Sequence, residues 1–171
     1  MKTRVYNSPV NKFKAADLKR FVHESNAIED VFNKKADEDG INAIVTAISI
    51  IGNGRVTPDK ILEIHKIILQ TVDPDIAGTF RIYDVRVGWR ICPSYRAVSM
   101  LLKTLCKRPV PKTAEDIKKW HIEYERIHPH PDGNGRTGRA IMCAQRIIAG
   151  LPIEVIKASE RDLYYEWFNE A

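Results

Sequence analysis

Twelve residues of this chain, His128-Pro129-His130-Pro131-Asp132-Gly133-Asn134-Gly135-Arg136-Thr137-Gly138-Arg139, hold an imidazole base, a carboxylate, an amide, three glycines and two arginines. The stretch that follows, Ala140 to Ile148, is apolar and reads as helix. Bare amides at the start of a helix, flanked by guanidinium groups, form an anion site. A carboxylate that can hold a cation and a histidine that can move a proton complete the set needed for phosphoryl chemistry.

The two arginines make poor sense as helix stabilisers. A cation at a helix N-terminus is disfavoured by about 0.3–1 kcal/mol, yet Arg136 and Arg139 are expected in the first turn of the motif helix. Their i,i+3 spacing sets them side by side, and Arg136 shares a stripe with Ala140, Cys143 and Ile147. Around a polyphosphate the crowding becomes favourable, because guanidinium forks bind oxygens bidentately. Gly133 and Gly135 let the backbone approach a ligand with its amides turned inward. Asn134, between them, can donate its side-chain amide to a phosphate oxygen. Asp132 reads either as a plain N-cap or as a ligand for Mg²⁺ bridging phosphates. His128 ends the preceding helix, and its ordinary pKa of about 6.5 suits a base near neutral pH. The sequence has no G-x-x-x-x-G-K-[ST] run and no strand feeding the loop, which argues against a P-loop. His128, His130 and His121 could suggest a metal centre, but no cysteine or closing ligand pattern supports zinc.

The elements that must position this run follow from patterning. From Ala15 to Phe32, the apolar residues Leu18, Phe21, Val22, Ile28 and Phe32 recur at helical spacing. Ile41 to Ile51 is apolar nearly all round and is expected as a central buried helix. Thr57-Pro58 predicts a helix start with Thr57 as N-cap, running to about Val72. Asp73-Pro74 and Ala77-Gly78 mark a loop. Between Thr79 and Ile91 the period changes to two, which predicts a short β-hairpin over about 79–92. A lone hairpin is marginal in water, so it must lean on the helices and serve as a flap. Helix resumes from about Ser94 to Lys107, and again from Thr113 as N-cap, with Ile117, Trp120, His121, Tyr124 and Ile127 on one face. That helix stops at the motif because Pro129 and Pro131 cannot continue it. The motif loop and helix occupy 128–149, and Ser159 with Asp162 reads as a capping box for a last aromatic-rich helix. His65 and His121 read as core histidines, and residues 1–14 as extended. The fold class is all-α with one hairpin, in a single domain over 1–171.

The 171 residues are 44% apolar and 29% charged, an ordinary globular balance with a sizeable core. Neither a signal peptide nor a membrane span is evident, since the longest apolar run is interrupted by Asn42, Thr46 and Ser49. Cys92, Cys106 and Cys143 are odd in number and read as reduced core thiols of a cytoplasmic protein. The net charge of +5 is scattered, with a loose cluster at Lys2, Arg4, Lys12, Lys14, Lys19 and Arg20, and reads as solvated surface rather than a nucleic-acid site.

At His128, Pro129, Asp132, Gly133, Asn134, Gly135, Arg136 and Arg139 the chain resembles the Fic family, whose motif is H-P-F-x-D/E-G-N-G-R-x-x-R. The resemblance implies a Fic-type helical bundle and transfer of AMP from ATP to a hydroxyl side chain of a target protein. It implies His128 as base, Asp132 as the Mg²⁺ ligand, and Gly133, Asn134 and Gly135 as an anion hole. Arg136 and Arg139 would hold the β- and γ-phosphates. The flap, with Tyr83, Asp84, Val85, Arg86 and Val87, would align the target segment by strand pairing. One position departs: the family's Phe is His130 here. A buried histidine needs partners for its ring nitrogens. Gly135 argues against variants that carry Lys there and phosphorylate their targets.

Ser25-Asn26-Ala27-Ile28-Glu29 resembles the inhibitory motif S/T-x-x-x-E-G/N of Fic proteins, with Asp30 departing at the last position. At 100° per residue Glu29 falls on the apolar stripe, where an unpaired carboxylate is costly. The resemblance implies Arg139 as its partner, withheld from the γ-phosphate. In some braked family members the same glutamate positions a water for AMP removal. Hydrolytic AMP removal and a non-catalytic nucleotide- or partner-binding module are therefore the alternatives to transfer. Tyr6, Tyr83 and Tyr95 are candidate self-modification sites. The target, the nucleotide preference and the oligomeric state, homodimer included, stay open.

Overall fold

A computed structural model describes residues 14–169, and the described part is seven α-helices and one small hairpin. Lys2, Arg4, Lys12, Tyr6 and the expected extended segment up to residue 13 lie outside it. The helices are α1 (Ala15–Ile28), α2 (Lys34–Gly52), α3 (Pro58–Leu69), α4 (Val98–Cys106), α5 (Ala114–Ile127), α6 (Asn134–Ile148) and α7 (Arg161–Glu166). Helix starts follow side-chain chemistry. Thr57 accepts from the Lys60 amide with Pro58 in the first turn, and Thr113 accepts from the Asp116 amide. Asn33 caps α2 by accepting from Lys35 and Ala36.

Helix α6 forms the centre, packed against α2, α5 and α3. Every residue from Ala140 to Ile147 is buried. Its small side chains, Ala140, Cys143 and Ala144, allow neighbours close on several sides. Helix α2, which holds Ile41–Ile51, is central as expected, packing on α6, α3 and α1, but it is not buried all round. Helix α2 buries Ala43, Ile44, Ala47 and Ile51, but Val45 is exposed. A polar anchor joins α2 to the end of α3: buried Asp39 accepts from Lys35 Nζ and Gln70 Nε2 at 2.8 Å each, and from the Thr71 hydroxyl.

Several boundaries differ from expectation. Helix α1 stops at Ile28 rather than Phe32, because Asp30 adopts φ 55° and turns the chain; Phe32 is exposed. Helix α3 ends at Leu69, short of Val72. The last helix has no capping box, since no side chain caps α7, and a 3-10 turn at Ala158–Glu160 leads into it. The hairpin is much shorter than 79–92. Strand β1 (Arg86–Val87) pairs antiparallel with β2 (Arg90–Ile91), in the register Arg86↔Ile91 and Val87↔Arg90. Gly88 takes φ 58° in the two-residue turn, a conformation that favours glycine. The preceding residues are drawn out of pairing by other partners, described below. Cys92, Cys106 and Cys143 are free and buried.

Candidate active site

The C-terminus of α5 and the N-terminus of α6 meet at a loop whose shape is held by side chains from distant segments. Pro129 ends α5, which leaves its last carbonyls needing donors. Two arginines of the flap segment supply them. Buried Arg81 donates through Nε to the His128 carbonyl at 2.7 Å and through Nη2 to Ile127 O at 3.3 Å and Pro93 O at 2.6 Å. Its Nη1 donates to Tyr83 O, and its own amide to Pro129 O. Arg90 donates to Arg126 O and Glu125 O at 3.1 and 3.2 Å. Cations on the carbonyl end of a helix are also favoured by its dipole. These contacts tie the flap to the motif loop and explain why residues 79–84 do not pair as strand. Neither arginine was singled out in the sequence; the signal was a helix C-terminus with orphan carbonyls beside an arginine-bearing segment.

The loop itself is fixed by histidines and an amide. His130 is buried and stacks on His65, centroids 3.8 Å apart at 5°. Its Nδ1 lies 2.7 Å from Thr79 O, and its Nε2 has no partner. His65 does more than fill the core: its Nδ1 accepts from the Gly78 amide and its Nε2 is 2.9 Å from Asp132 O. Burial lowers the pKa of both rings, so the stack is neutral. Asn134 is buried with its side chain in a reciprocal pair, accepting from His130 N at 2.9 Å and donating to His130 O at 3.0 Å. The side-chain amide expected for a phosphate thus holds the loop. The N-cap of α6 is Gly133 at φ 73°, not Asp132. A Cβ at Gly133 would come within 2.3 Å of Leu69, so glycine is required for packing as well as for φ.

These elements enclose a cavity of about 530 Å³, lined among others by Glu29, Val87, Glu125, His128, Asp132, Gly133, Asn134, Gly135, Arg139 and Tyr164. His128 sits at the C-cap of α5 with φ 49°. Burial pushes its pKa down to about 4, helped by Arg90, so it is a neutral base at neutral pH. Asp132 presents a largely exposed carboxylate, with Oδ2 3.3 Å from Arg136 Nη2. Among the described residues no group of three or more His, Cys, Asp or Glu side chains converges on a metal position. A single carboxylate nonetheless suits Mg²⁺, which is commonly held by one or two carboxylates together with substrate phosphates and water.

The two arginines part company. Arg139 lies in the second turn of α6, not the first, and is fully engaged. It donates from Nε to Ser25 Oγ at 2.9 Å, from Nη2 to Ser25 O at 2.9 Å and to Glu29 Oε1 at 2.8 Å, and from Nη1 to the Tyr164 hydroxyl at 3.2 Å. Arg136 is buried away from the cavity and faces a small crevice with Ser25, Asn26 and Gly40; its Nε and Nη1 have no partner. Glu29 is not on the buried stripe of α1. The helix ends one residue before it, leaving its side chain 33% exposed at the cavity rim. A carboxylate at the C-terminus of one helix is unfavourable, and here the N-terminus of α6 and Arg139 compensate. A Cβ at Gly135 would lie 2.6 Å from Glu29 Oε1, so any side chain there would displace the carboxylate from the first turn of α6.

The flap residues have mixed surroundings. Tyr83 is half-exposed, and Arg86 and Val87 are exposed, as docking would require. Asp84 instead accepts from the Tyr95 amide, and Val85 O accepts from Cys92 N. Two further groups went unrecognised in the sequence. Glu125, one turn before His128, is buried, and burial raises its pKa to about 8. Tyr164 of α7 reaches both Arg139 and His121, whose Nε2 is 2.9 Å from its hydroxyl.

A sequence model described as the Fic/DOC family matches residues 55–145. A protein adenylyltransferase Fic of Culex quinquefasciatus is 31% identical over 152 residues, which cover 83% of this chain and 30% of that protein. Its namesake in Nematostella vectensis is 34% identical over 122 residues, covering 68% and 29%. The chain thus spans about 30% of the length of these curated relatives. Among solved structures, a Fic domain containing signaling protein from Bacteroides thetaiotaomicron superposes with a TM-score of 0.77 at 16% identity, over 95% of this chain and 74% of that one. Fic-1 from C. elegans does so at 0.72 and 20%, over 94% and 57%. These likenesses concern the fold. Among the described residues, no helix is long and apolar enough to cross a membrane.

Proposed function

This chain belongs to the Fic/DOC family, and on that premise we propose that it is a protein adenylyltransferase, moving AMP from ATP to a hydroxyl side chain of a target protein and restrained by Glu29. The observation that carries the reading is the convergence on one cavity of a neutral His128, the Asp132 carboxylate, the glycine-lined N-terminus of α6 and an Arg139 already paired with a carboxylate. Relatives named protein adenylyltransferase Fic support the same reaction class.

In this reading the target oxygen bonds to the α-phosphorus, the bond to the leaving pyrophosphate breaks, and His128 takes the hydroxyl proton. The main-chain amides at Gly133, Asn134 and Gly135 stabilise charge on the phosphate oxygens. Asp132 would hold Mg²⁺, which when bound neutralises phosphate charge. Arg139 turns to the γ-phosphate only once released from Ser25 and Glu29. Arg136 serves the site through Asp132. Flap residues Tyr83, Val85, Arg86 and Val87 present the target, with Asp84 bracing the flap base. The protein works in the cytoplasm, and its target is a protein that docks along β1.

Intact-mass spectrometry after incubation with ATP and Mg²⁺ tests this on the parent, Glu29→Gly and Glu29→Gly/His128→Ala. A gain matching AMP in Glu29→Gly alone supports transfer, base and brake together. No gain in any form with any added protein substrate argues for the alternatives. Removal of AMP is favoured by one observation, that Glu29 and His128 line the same cavity; loss of AMP from a premodified protein, dependent on Glu29, would identify it.

A further inference from the structure

Glu125 has no structural pairing that accounts for it. It is 6% exposed, and a buried carboxyl without a partner is costly. The nearby cations are committed elsewhere: Arg139 to Ser25, Glu29 and Tyr164, and Arg90 to the main-chain oxygens of Glu125 and Arg126. Its Oε2 is 3.9 Å from His128 Nδ1, which is buried without a well-formed hydrogen bond and faces only the main-chain oxygen of Glu125 besides, an oxygen already taken by Arg90. Its Oε1 is also without a partner, as is His121 Nδ1. Both would lie within 2.9 Å of a Cβ built at Gly138, so α6 carries glycine where these groups face one another.

We propose that Glu125 is the positioning residue of the base: its Oε2 accepts from His128 Nδ1–H, which leaves Nε2 unprotonated toward the target hydroxyl. The proposal rests on reading His128 as the base. A base oriented by a third group is a general arrangement for activating a hydroxyl. The separation of 3.9 Å suits a resting site, because catalytic hydrogen bonds are often long without substrate and tighten on binding. Two features limit where the ring can go. His128 has left-handed backbone angles, and its carbonyl is held by Arg81. The high pKa of Glu125 agrees: a neutral carboxyl offers one oxygen to Nδ1–H and one O–H to the His121 side. During transfer the hydroxyl proton goes to Nε2, while Nδ1 keeps its own proton against Oε2.

The test is the tautomer of His128, read by ¹⁵N NMR of histidine-labelled protein at neutral pH, with His128→Ala assigning the signal. The parent is expected to hold the proton on Nδ1. Glu125→Gln keeps an acceptor oxygen and should keep that tautomer. Glu125→Met removes the side-chain acceptor and leaves only a main-chain oxygen held by Arg90, so the proton should redistribute toward Nε2. In the Glu29→Gly background, Met should lower kcat about 10- to 100-fold, a portion of the worth of a general base, with KM for ATP unchanged and activity retained by Gln. A parent that carries its proton on Nε2 overturns the proposal even if no variant folds, as does an unaltered tautomer in Glu125→Met. Nδ1–H in the parent without transfer by Glu29→Gly would instead overturn only the reading of His128 as base.

Discussion

Arg81 Nε donates to the main-chain oxygen of His128 at 2.7 Å, across 47 positions of sequence. The contact joins the flap base to the backbone of the candidate base, and the same guanidinium satisfies three further carbonyls. Replacing Arg81 by Met would leave buried carbonyls without donors. Hydrogen bonds to charged groups contribute about 1.5–3 kcal/mol each, so a loss of about 3 kcal/mol or more is expected in urea unfolding. Arg81→Lys, which keeps the charge but not the fork, should recover only part of it.

Ser25 holds Arg139 by its hydroxyl as well as by its carbonyl. Ser25→Ala removes one charge-assisted bond, on the order of 1.5 kcal/mol. If the restraint works through Arg139, self-modification should rise about tenfold, less than in Glu29→Gly. The rate of mass gain with ATP and Mg²⁺ measures this; a rate equal to the parent's would show that the Ser25 hydroxyl takes no part.

The pH dependence of the two groups runs in opposite directions. His128, depressed from 6.5 to about 4, keeps its base form down to that value, so the acid limb of Glu29→Gly activity should lie near 4. Glu125 is raised from 4.5 to about 8, chiefly by burial. The folded state therefore binds more protons than the unfolded chain between these values. Its contribution is full below 4.5 and is lost as pH rises toward 8. Thermal melts from pH 5 to 9 should show Glu125→Gln losing less stability with rising pH than the parent.

His130 stands where the family has Phe, stacked on His65 with one orphan ring nitrogen. In His130→Phe the stack persists and the orphan nitrogen disappears, at the cost of the Thr79 carbonyl's partner. These effects nearly offset, and a change within about 1 kcal/mol is expected. His130→Ala removes the ring and should cost about 3–5 kcal/mol, as for a large aromatic in a core. Chemical denaturation of both variants distinguishes a seat for an aromatic from a need for imidazole.

The residues that could do chemistry were legible in the sequence because they lie within one short run, and the helix starts at Thr57 and Thr113 because caps are local. Pro129 likewise announced the end of α5. What the sequence left undecided was which polar atom each side chain would face. Its place between two glycines suits Asn134 to a phosphate, but burial beside His130 turns its amide to the loop backbone. Periodicity set Glu29 on a buried stripe, but the turn at Asp30 ends the helix before it. Arg81, Arg90 and Glu125 gave no signal of their own, since their partners lie across the fold or depend on how deeply the site is buried. Local pattern follows from backbone geometry a few residues long, and this the sequence by itself determined. The pairing of buried charges and carbonyls depends on which segments pack together, and only the tertiary structure decided it.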